Sequence, residues 1–157
     1  MTRVLFVCLG NICRSPLAEA ILREQAAEAG VEVDVDSAGT GDWHVGHPPD
    51  RRAIAVAAAH GVDIKALRAR QIAVRDFADF DHIVALDRAN LRDLRAMRPA
   101  STKARLSLLL DHAPGREARD VADPYTGPDA GFETAWQDIG AGVAGLLDAI
   151  RSADSAG

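Results

Sequence analysis

The sequence predicts a doubly wound α/β fold, a three-layer sandwich in which a four-stranded parallel sheet carries helices on both faces. Short apolar runs, typical of strands buried on both faces, alternate along the chain with stretches of helical periodicity. The 157 residues suit one domain, which we assign to residues 1–151, followed by a flexible tail at 152–157. In such folds, ligands bind where strand ends lead into helices.

The first strand and the first helix are predicted from the N-terminal residues. The apolar run at 3–8 indicates a central strand. Ser15 is predicted as the helix N-cap, with Pro16 at the first helical position and Gly30 as the C-terminal stop. The turn between strand and helix, residues 8–14, therefore lies where this fold binds ligands.

The rest of the chain supplies three more strands and three more helices. One segment alternates apolar and acidic residues, which indicates an edge strand at 31–38. In the last helix, apolar residues recur at helical spacing and are expected to face the core. The predicted strands are 31–38, 81–87 and 104–111, and the predicted helices are 51–60, 88–97 and 130–150.

Composition argues against several classes of function. The formal net charge of −5 disfavours a nucleic-acid binder, because phosphate backbones are held by surplus Lys and Arg. Since no apolar run is long enough to cross a bilayer, we expect no membrane partner. The first residues carry no signal-peptide pattern, so we expect a cytoplasmic protein, with export by a signal-independent route left open. We also expect it to be a monomer.

Both cysteines of the chain, Cys8 and Cys13, lie in the turn 8–14. A disulfide between them would close a loop too short to add much stability. A zinc site needs further ligands at suitable spacing, and His44 and His47 stand alone in a Gly/Pro-rich loop. We therefore expect neither a metal nor another cofactor, and we interpret the cysteines chemically.

The turn 8–14 has the features of an anion site. Backbone N–H groups between a strand and a helix point inward, and the helix dipole adds partial positive charge. Cys8 is expected to be a thiolate there, Arg14 to grip two oxygens of a phosphate, and the Ser15 hydroxyl to donate to the sulfur. Gly10 permits close approach of a ligand, and Asn11 suits a left-handed backbone. The alternative for the Cys-x5-Arg pattern alone is a buried cysteine beside a surface arginine.

The full string "VCLGNICRSP" resembles the signature of the low-molecular-weight protein-tyrosine phosphatases. The resemblance extends over residues 4–150 and includes further blocks in the order of that family. These blocks are "DSAGT", "WHVG", "PPDRRA", "RARQI", "ALDRANLRDL" and "DPYTGPDAGFETAW". The loop "GTGDWHVG" is particularly similar to actinobacterial secreted-type members.

The resemblance implies an enzyme that hydrolyses phosphotyrosine in a protein or peptide through a cysteinyl-phosphate and releases inorganic phosphate. Cys8 would be the nucleophile, Arg14 the phosphate clamp and Asp123 the general acid and base. Taken locally, Asp123 before a proline is also a simple turn former. The phosphate-binding loop, residues 8–15, would comprise Cys8, Leu9, Gly10, Asn11, Ile12, Cys13, Arg14 and Ser15.

The resemblance also implies the rim of the site. Trp43 and Tyr125 would form the walls of a slot for a phenyl ring. His44 and Thr126, like Leu9, are further candidate contacts, with exposed loop residues as the alternative interpretation.

Support of Asn11 departs from the family. Family members usually carry a histidine before "ARQ" that holds the loop asparagine, and here Leu67 takes that position. We therefore expect Asn11 to rely on Ser15 and Ser37 alone.

Cys13 has two interpretations. In the family it protects the nucleophile: an oxidised Cys8 would be captured as a disulfide with Cys13, before irreversible oxidation. Alternatively, Cys13 is a small apolar residue packed under the loop.

Three other functions compete with tyrosine phosphatase activity. Protein-arginine phosphatases of the same fold resemble "CTGNTCRS", with threonine where this chain has Ile12, and the bulkier side chain favours phosphotyrosine. Arsenate reductases need a further downstream cysteine, which is missing after Cys13. A phosphotyrosine-binding module without catalysis would have no need of Asp123.

Overall fold

The computed structural model describes residues 1–156, and its centre is a four-stranded sheet. The strands are β1 (Thr2–Cys8), β2 (Val33–Gly39), β3 (His82–Ala85) and β4 (Arg105–Leu108), in the order β2-β1-β3-β4. All neighbouring strands pair in parallel, which confirms the predicted sheet. β2 lies at an edge, as its alternating sequence predicts.

Five α-helices and one 3-10 helix surround the sheet. They are α1 (Arg14–Ala29), α2 (Arg51–Ala59), α3 (Asp76–Asp79), α4 (Arg88–Met97) and α5 (Ala130–Ala156), with the 3-10 helix at Leu109–His112. The short helix α3 was not predicted. The strand predicted at 104–111 is too long, because the backbone turns into the 3-10 helix after Leu108.

Alternate residues of β1 face two separate cores. Val4 and Phe6 are fully buried on the side of α1 and α5. Leu5 and Val7 are fully buried on the opposite side, where α4 contributes Leu94 and its neighbour Leu91. Because β1 is buried on both faces, its sequence is continuously apolar. The predicted three-layer arrangement is confirmed.

The start of α1 differs from the prediction. The helix begins at Arg14 with Cys13 as its N-cap residue, and the cap has no side-chain hydrogen bond. Ser15 is therefore the second helical residue and not the N-cap, and its buried hydroxyl turns towards Cys8. The predicted C-terminal stop is right: Gly30 has a left-handed φ of 69° and donates to the last carbonyls of the helix.

The last helix is longer than predicted. α5 ends at Ala156, so residues 152–156, predicted as a tail, continue the helix, and Gly157 lies outside the described residues. Its apolar stripe faces the core as expected, with Phe132, Ile139, Val143, Leu147 and Ile150 all buried. No helix between residues 1 and 156 combines the length and apolar character that a membrane crossing requires.

The parallel register brings several strand ends to one edge of the sheet. Cys8 pairs with Gly39 of β2, and Val7 pairs with Ala85 of β3. The loop after β1 therefore lies beside the segments that follow β2 and β3. This is the edge at which doubly wound folds bind ligands.

Candidate active site

The phosphate-binding loop surrounds the sulfur of Cys8 with hydrogen-bond donors. Cys8 is buried at the end of β1, and the N–H of Asn11 donates to its Sγ over 3.3 Å. The Ser15 Oγ lies 3.0 Å from the same sulfur. Asn11 has a φ of 58°, the left-handed conformation predicted for it, and this conformation turns its N–H inward.

The side chain of Asn11 donates to the Ser15 hydroxyl. The backbone N–H of Arg70 donates to Asn11 Oδ1 over 2.9 Å, so the amide nitrogen must face the other way. That nitrogen donates to Ser15 Oγ at 2.8 Å and to Ser37 Oγ at 3.0 Å. Since the Ser15 oxygen accepts from Asn11, its own hydrogen is available for the sulfur of Cys8 at 3.0 Å or for the more distant Ala38 carbonyl at 3.5 Å.

Ser37 passes this network on to a buried carboxylate. Its hydroxyl donates to Glu19 Oε1 over 2.8 Å, and Arg23 pairs with Glu19 Oε2 at 2.7 Å. Leu67 takes no part, since it packs against the apolar core. Asn11 is thus held by Ser15 and Ser37, but not by these two alone as expected, because the backbone N–H of Arg70 binds its amide oxygen.

Gly39 lets β2 approach the phosphate-binding loop closely. A Cβ at this position would lie 2.7 Å from the carbonyl oxygen of Leu9 and 3.3 Å from the Cβ of Asn11. Neither atom is at the end of a flexible side chain, so the loop would have to shift. The close approach also allows Thr40 N–H to donate to the Cys8 carbonyl at 2.9 Å.

Arg14 is buried, with 3% of its side chain exposed, and part of its guanidinium is already bound. Its Nη1 donates to Asp87 Oδ2 over 2.7 Å and to the Val121 carbonyl over 2.8 Å. Burial alone would lower its pKa, but the negative charges of Cys8 and Asp87 outweigh that effect, so the pKa of Arg14 is raised. Within the described residues, no hydrogen bond occupies Nε or Nη2 of Arg14, so these two groups are available to bind an anion.

Asp123 lies at the opposite side of the cleft on the acid loop, residues 121–130. Its Oδ2 is 3.7 Å from Nη2 of Arg14, and its Oδ1 accepts the N–H of Tyr125 over 3.1 Å. The carboxylate is 45% exposed. The turn-forming interpretation and the catalytic one are therefore compatible, because one oxygen closes the turn while the other faces the site.

These side chains line a single cavity of about 120 Å³. Its walls carry the aromatic residues expected at the rim: Trp43 is 66% exposed, and the rings of His44 and Tyr125 lie 6.1 Å apart. The lining residues are Cys8, Leu9, Gly10, Ile12, Cys13, Arg14, Trp43, His44, Asp123 and Tyr125. Thr126 is exposed and lies outside this lining, and Asn11, Ser15 and Ser37 support the loop from behind.

Cys13 lines the same cavity but has a different environment. Burial raises the pKa of its thiol, and the negative charges of Asp50 and Cys8 raise it further. Cys13 is therefore protonated at neutral pH. Both cysteines are free thiols.

Four residues of the site were missed by sequence reasoning: Asp87, Val121, Glu19 and Arg70. The signal for Asp87 is its position, because it lies two residues after the end of β3, the neighbour of β1, and caps α4. The carbonyl of Val121 and the N–H of Arg70 carry no signal, since any residue type offers these groups. Within residues 1–156, no cluster of three or more His, Cys, Asp or Glu side chains has the arrangement of a metal site.

Comparison with known proteins identifies the family. The sequence-family model of the low molecular weight phosphotyrosine protein phosphatases matches residues 3–156 of this chain. The chain belongs to this family. The low molecular weight protein-tyrosine-phosphatase of Streptomyces coelicolor is 45% identical over 154 residues, which cover 95% of this chain and 93% of that relative. The family predicted from the sequence and its class of enzyme, a hydrolase, are confirmed.

Two solved structures of relatives have the same fold. The crystal structure of YfkJ from Bacillus subtilis has a TM-score of 0.90 and 42% identity, and the match covers 97% of this chain and 96% of that one. A Drosophila arginine phosphatase has a TM-score of 0.89 and 35% identity, with 96% and 98% covered. A relative named as an arginine phosphatase therefore shares this fold.

Proposed function

We propose that this phosphatase hydrolyses phosphotyrosine in proteins or peptides through a cysteinyl-phosphate. Cys8 is the nucleophile, Arg14 binds the phosphoryl oxygens, and Asp123 is the general acid and then the general base. The observation that carries the proposal is the convergence of the three side chains on one cavity, where the Ser15 hydroxyl and the Asn11 N–H lie within hydrogen-bond distance of the Cys8 sulfur. A thiol, a fixed guanidinium and an exposed carboxylate together supply both steps of phosphoryl transfer.

In the first step the phosphate dianion occupies the phosphate-binding loop. The loop N–H groups and the free Nε and Nη2 of Arg14 bind its oxygens and stabilise the charge that develops in the transition state. The thiolate of Cys8 attacks phosphorus, and the bond between phosphorus and the phenolic oxygen breaks. Asp123, in its protonated form, gives its proton to that oxygen, because a phenolate with an ordinary pKa near 10 is a poor leaving group.

In the second step water releases the phosphate. The Asp123 carboxylate takes a proton from the water, the water oxygen bonds to phosphorus, and the bond between sulfur and phosphorus breaks. Cys8 leaves as a thiolate, which the hydroxyl of Ser15 stabilises over its 3.0 Å contact. Inorganic phosphate is the product, and Asp123 is protonated again for the next cycle.

The shape of the cavity supports phosphotyrosine as the substrate. Trp43 and Tyr125 stand at its rim and offer flat apolar surfaces to a phenyl ring. The sulfur of Cys8 lies at its buried end. A phosphoserine side chain is too short to bring its phosphorus from the rim to this sulfur.

A protein-arginine phosphatase is the second candidate, supported by the similarity to the Drosophila arginine phosphatase. Ile12 lines the cavity and is apolar. It offers no hydrogen-bonding group to the extra N–H groups of phosphoarginine, so we favour phosphotyrosine.

The test is phosphate release from matched phosphotyrosine and phosphoarginine peptides, with Cys8→Ser as the inactive control. We expect release from the phosphotyrosine peptide and none by Cys8→Ser. Faster release from phosphoarginine would support the second candidate. If neither peptide is hydrolysed while Cys8→Ser binds the phosphotyrosine peptide, the chain is a binding module without catalysis.

A further inference from the structure

Arg52 connects helix α2 to the acid loop. Its Nη2 donates to the backbone carbonyl of Tyr125 over 2.7 Å, and its Nη1 donates to the carbonyl of Gly127 over 3.3 Å. Both acceptors lie within four residues after Asp123 in the acid loop. One guanidinium therefore binds the segment that carries the carboxylate.

The guanidinium of Arg52 is itself held in place. Nε and Nη2 donate to the two carboxylate oxygens of Asp50 over 3.1 and 3.2 Å. Its carbon lies 4.6 Å from the centre of the Phe132 ring, so the planar group stacks on the start of α5. A carboxylate and an aromatic ring thus fix the orientation of the donors that reach the acid loop.

Asp50 ties the same assembly to the phosphate-binding loop. Its backbone N–H donates to the Ile12 carbonyl over 2.8 Å, and its carboxylate caps α2 by accepting the N–H of Arg52 at 2.8 Å. On the other side, the N–H of Tyr125 donates to Asp123 Oδ1 over 3.1 Å. Hydrogen bonds therefore connect Ile12 to Asp123 through Asp50, Arg52 and Tyr125.

The carboxylate of Asp123 depends on this connection. It is 45% exposed, and its contact with Arg14 is long, at 3.7 Å. Val121 and Pro124 of the acid loop are buried, but residues 125–130, which follow them, are exposed, so packing does not hold this second half of the loop. The two hydrogen bonds from Arg52 to the carbonyls of Tyr125 and Gly127 hold this segment.

We propose that Arg52 is a positioning residue that sets the acid loop against the phosphate-binding loop, so that Asp123 meets the oxygen of the leaving group. The inference rests on the proposed function, because it needs Asp123 to be the general acid. Lysine cannot replace Arg52 fully, since a single ammonium cannot bind Asp50 and two carbonyls in one plane.

The test is the dependence of kcat/KM on the leaving group. The substrates are phenyl phosphate, p-nitrophenyl phosphate and 2,4-dinitrophenyl phosphate, which need protonation less as the phenol becomes more acidic. We expect Arg52→Met to lose about tenfold to a hundredfold on phenyl phosphate and little on the dinitrophenyl ester, because only the general-acid contribution is weakened. Arg52→Lys should lie between Met and the wild type.

Two controls separate positioning from folding. Arg51→Met changes the exposed neighbour on the same helix and should leave the profile unchanged. In an Asp123→Asn background, Arg52→Met should add no further dependence on the leaving group. If Arg52→Met fails to fold, the lysine variant gives the same comparison of slopes.

Two results would overturn the role of Arg52: an equal loss on all three substrates, which would indicate damage to the phosphate-binding loop, or no loss on phenyl phosphate. A wild-type protein that hydrolyses none of the three esters would contradict the proposed function itself. The failures of the two proposals are therefore distinguishable.

Discussion

Removal of the Ser15 hydroxyl tests how the sulfur of Cys8 is stabilised. Ser15 is fully buried, and its Oγ lies 3.0 Å from the sulfur. Because Asn11 donates to the same oxygen, the Ser15 hydrogen is free to bind the thiolate, the nearer of its two acceptors, since the Ala38 carbonyl lies 3.5 Å away. Ser15→Ala removes this donor and leaves the Asn11 N–H, at 3.3 Å, in place.

The size of the effect follows from the kind of bond that is lost. A hydrogen bond to a charged group contributes about 1.5–3 kcal/mol. The thiolate is the leaving group of the second step, so that loss raises its barrier and slows hydrolysis of the cysteinyl-phosphate by about ten- to 150-fold. The variant should therefore accumulate the phosphorylated enzyme.

The assay is rapid mixing of p-nitrophenyl phosphate with the enzyme, followed by acid quenching. We expect kcat to fall by the factor given above and the fraction of enzyme trapped as cysteinyl-phosphate in the steady state to rise above that of the wild type. Ser37→Ala is the matched control. This substitution also removes an acceptor of the Asn11 amide, but the Ser37 hydroxyl makes no hydrogen bond to Cys8. It should lower the free energy of unfolding without raising the trapped fraction.

The reasoning is refuted if Ser15→Ala keeps the wild-type kcat. It is also refuted if kcat falls while the trapped fraction does not rise, because the hydroxyl would then act on the first step. Equal trapping in Ser37→Ala would shift the explanation from the sulfur contact to the orientation of Asn11.

Three further predictions concern packing, pH and oxidation. Gly39→Ala should lower the free energy of unfolding by about 1–3 kcal/mol through overpacking, and it should raise KM. Gly140→Ala is the control, because a Cβ there meets open space and should not destabilise the protein. Urea titration measures the stability of both variants, and steady-state kinetics measures KM. Burial lowers the pKa of His82 below its ordinary value of 6.5, so the unfolded chain binds the proton first and stability should fall as the pH drops below 6.5. His82→Gln should reduce that slope in urea titrations at pH 7.5 and 5.5. When the wild type is treated with hydrogen peroxide and then with dithiothreitol, it should recover activity, because the Cys13 thiol reacts with the sulfenic acid of Cys8 to give a disulfide and water. Cys13→Ala should recover less activity. Equal recovery of the two proteins would favour a packing role for Cys13.

Local patterns were sufficient to predict the sheet and the turn after β1, whereas the roles of Cys8, Arg14 and Asp123 were inferred from the resemblance to the family. A continuously apolar run predicts a strand buried on both faces, and β1 is such a strand. The turn from Cys8, the last residue of β1, to Arg14 supplies most of the cavity lining, because in this fold ligands bind where strand ends lead into helices. Contacts between residues close in sequence were therefore predictable, including the one between Ser15 and the sulfur.

Contacts that depend on the tertiary arrangement were not predictable. Arg14 meets Asp87 and the Val121 carbonyl across 73 and 107 residues. The position of Asp87 after β3 marks it as a candidate but does not reveal its pairing with Arg14, and a backbone carbonyl carries no signal. The helix start at Arg14 was missed for a related reason. A serine before a proline is a good N-cap, but here the hydroxyl is engaged by Cys8 and Asn11, so the tertiary contact overrides the local preference.

Leu67 stands where the resemblance to the family implies a histidine, and the structure shows Asn11 held without any hydrogen bond from this side chain. What the phosphate-binding loop requires of Asn11 is a left-handed backbone and an amide nitrogen directed at Ser15. The N–H of Arg70 secures the second requirement, because it can bind only the amide oxygen and so turns the nitrogen to the serines. Arg70 is itself fixed by ion pairs with Asp36 and with the buried Asp76. The orientation of Asn11 thus depends on a segment tied down by charges, and an apolar residue at position 67 is compatible with a loop that still directs its donors at Cys8.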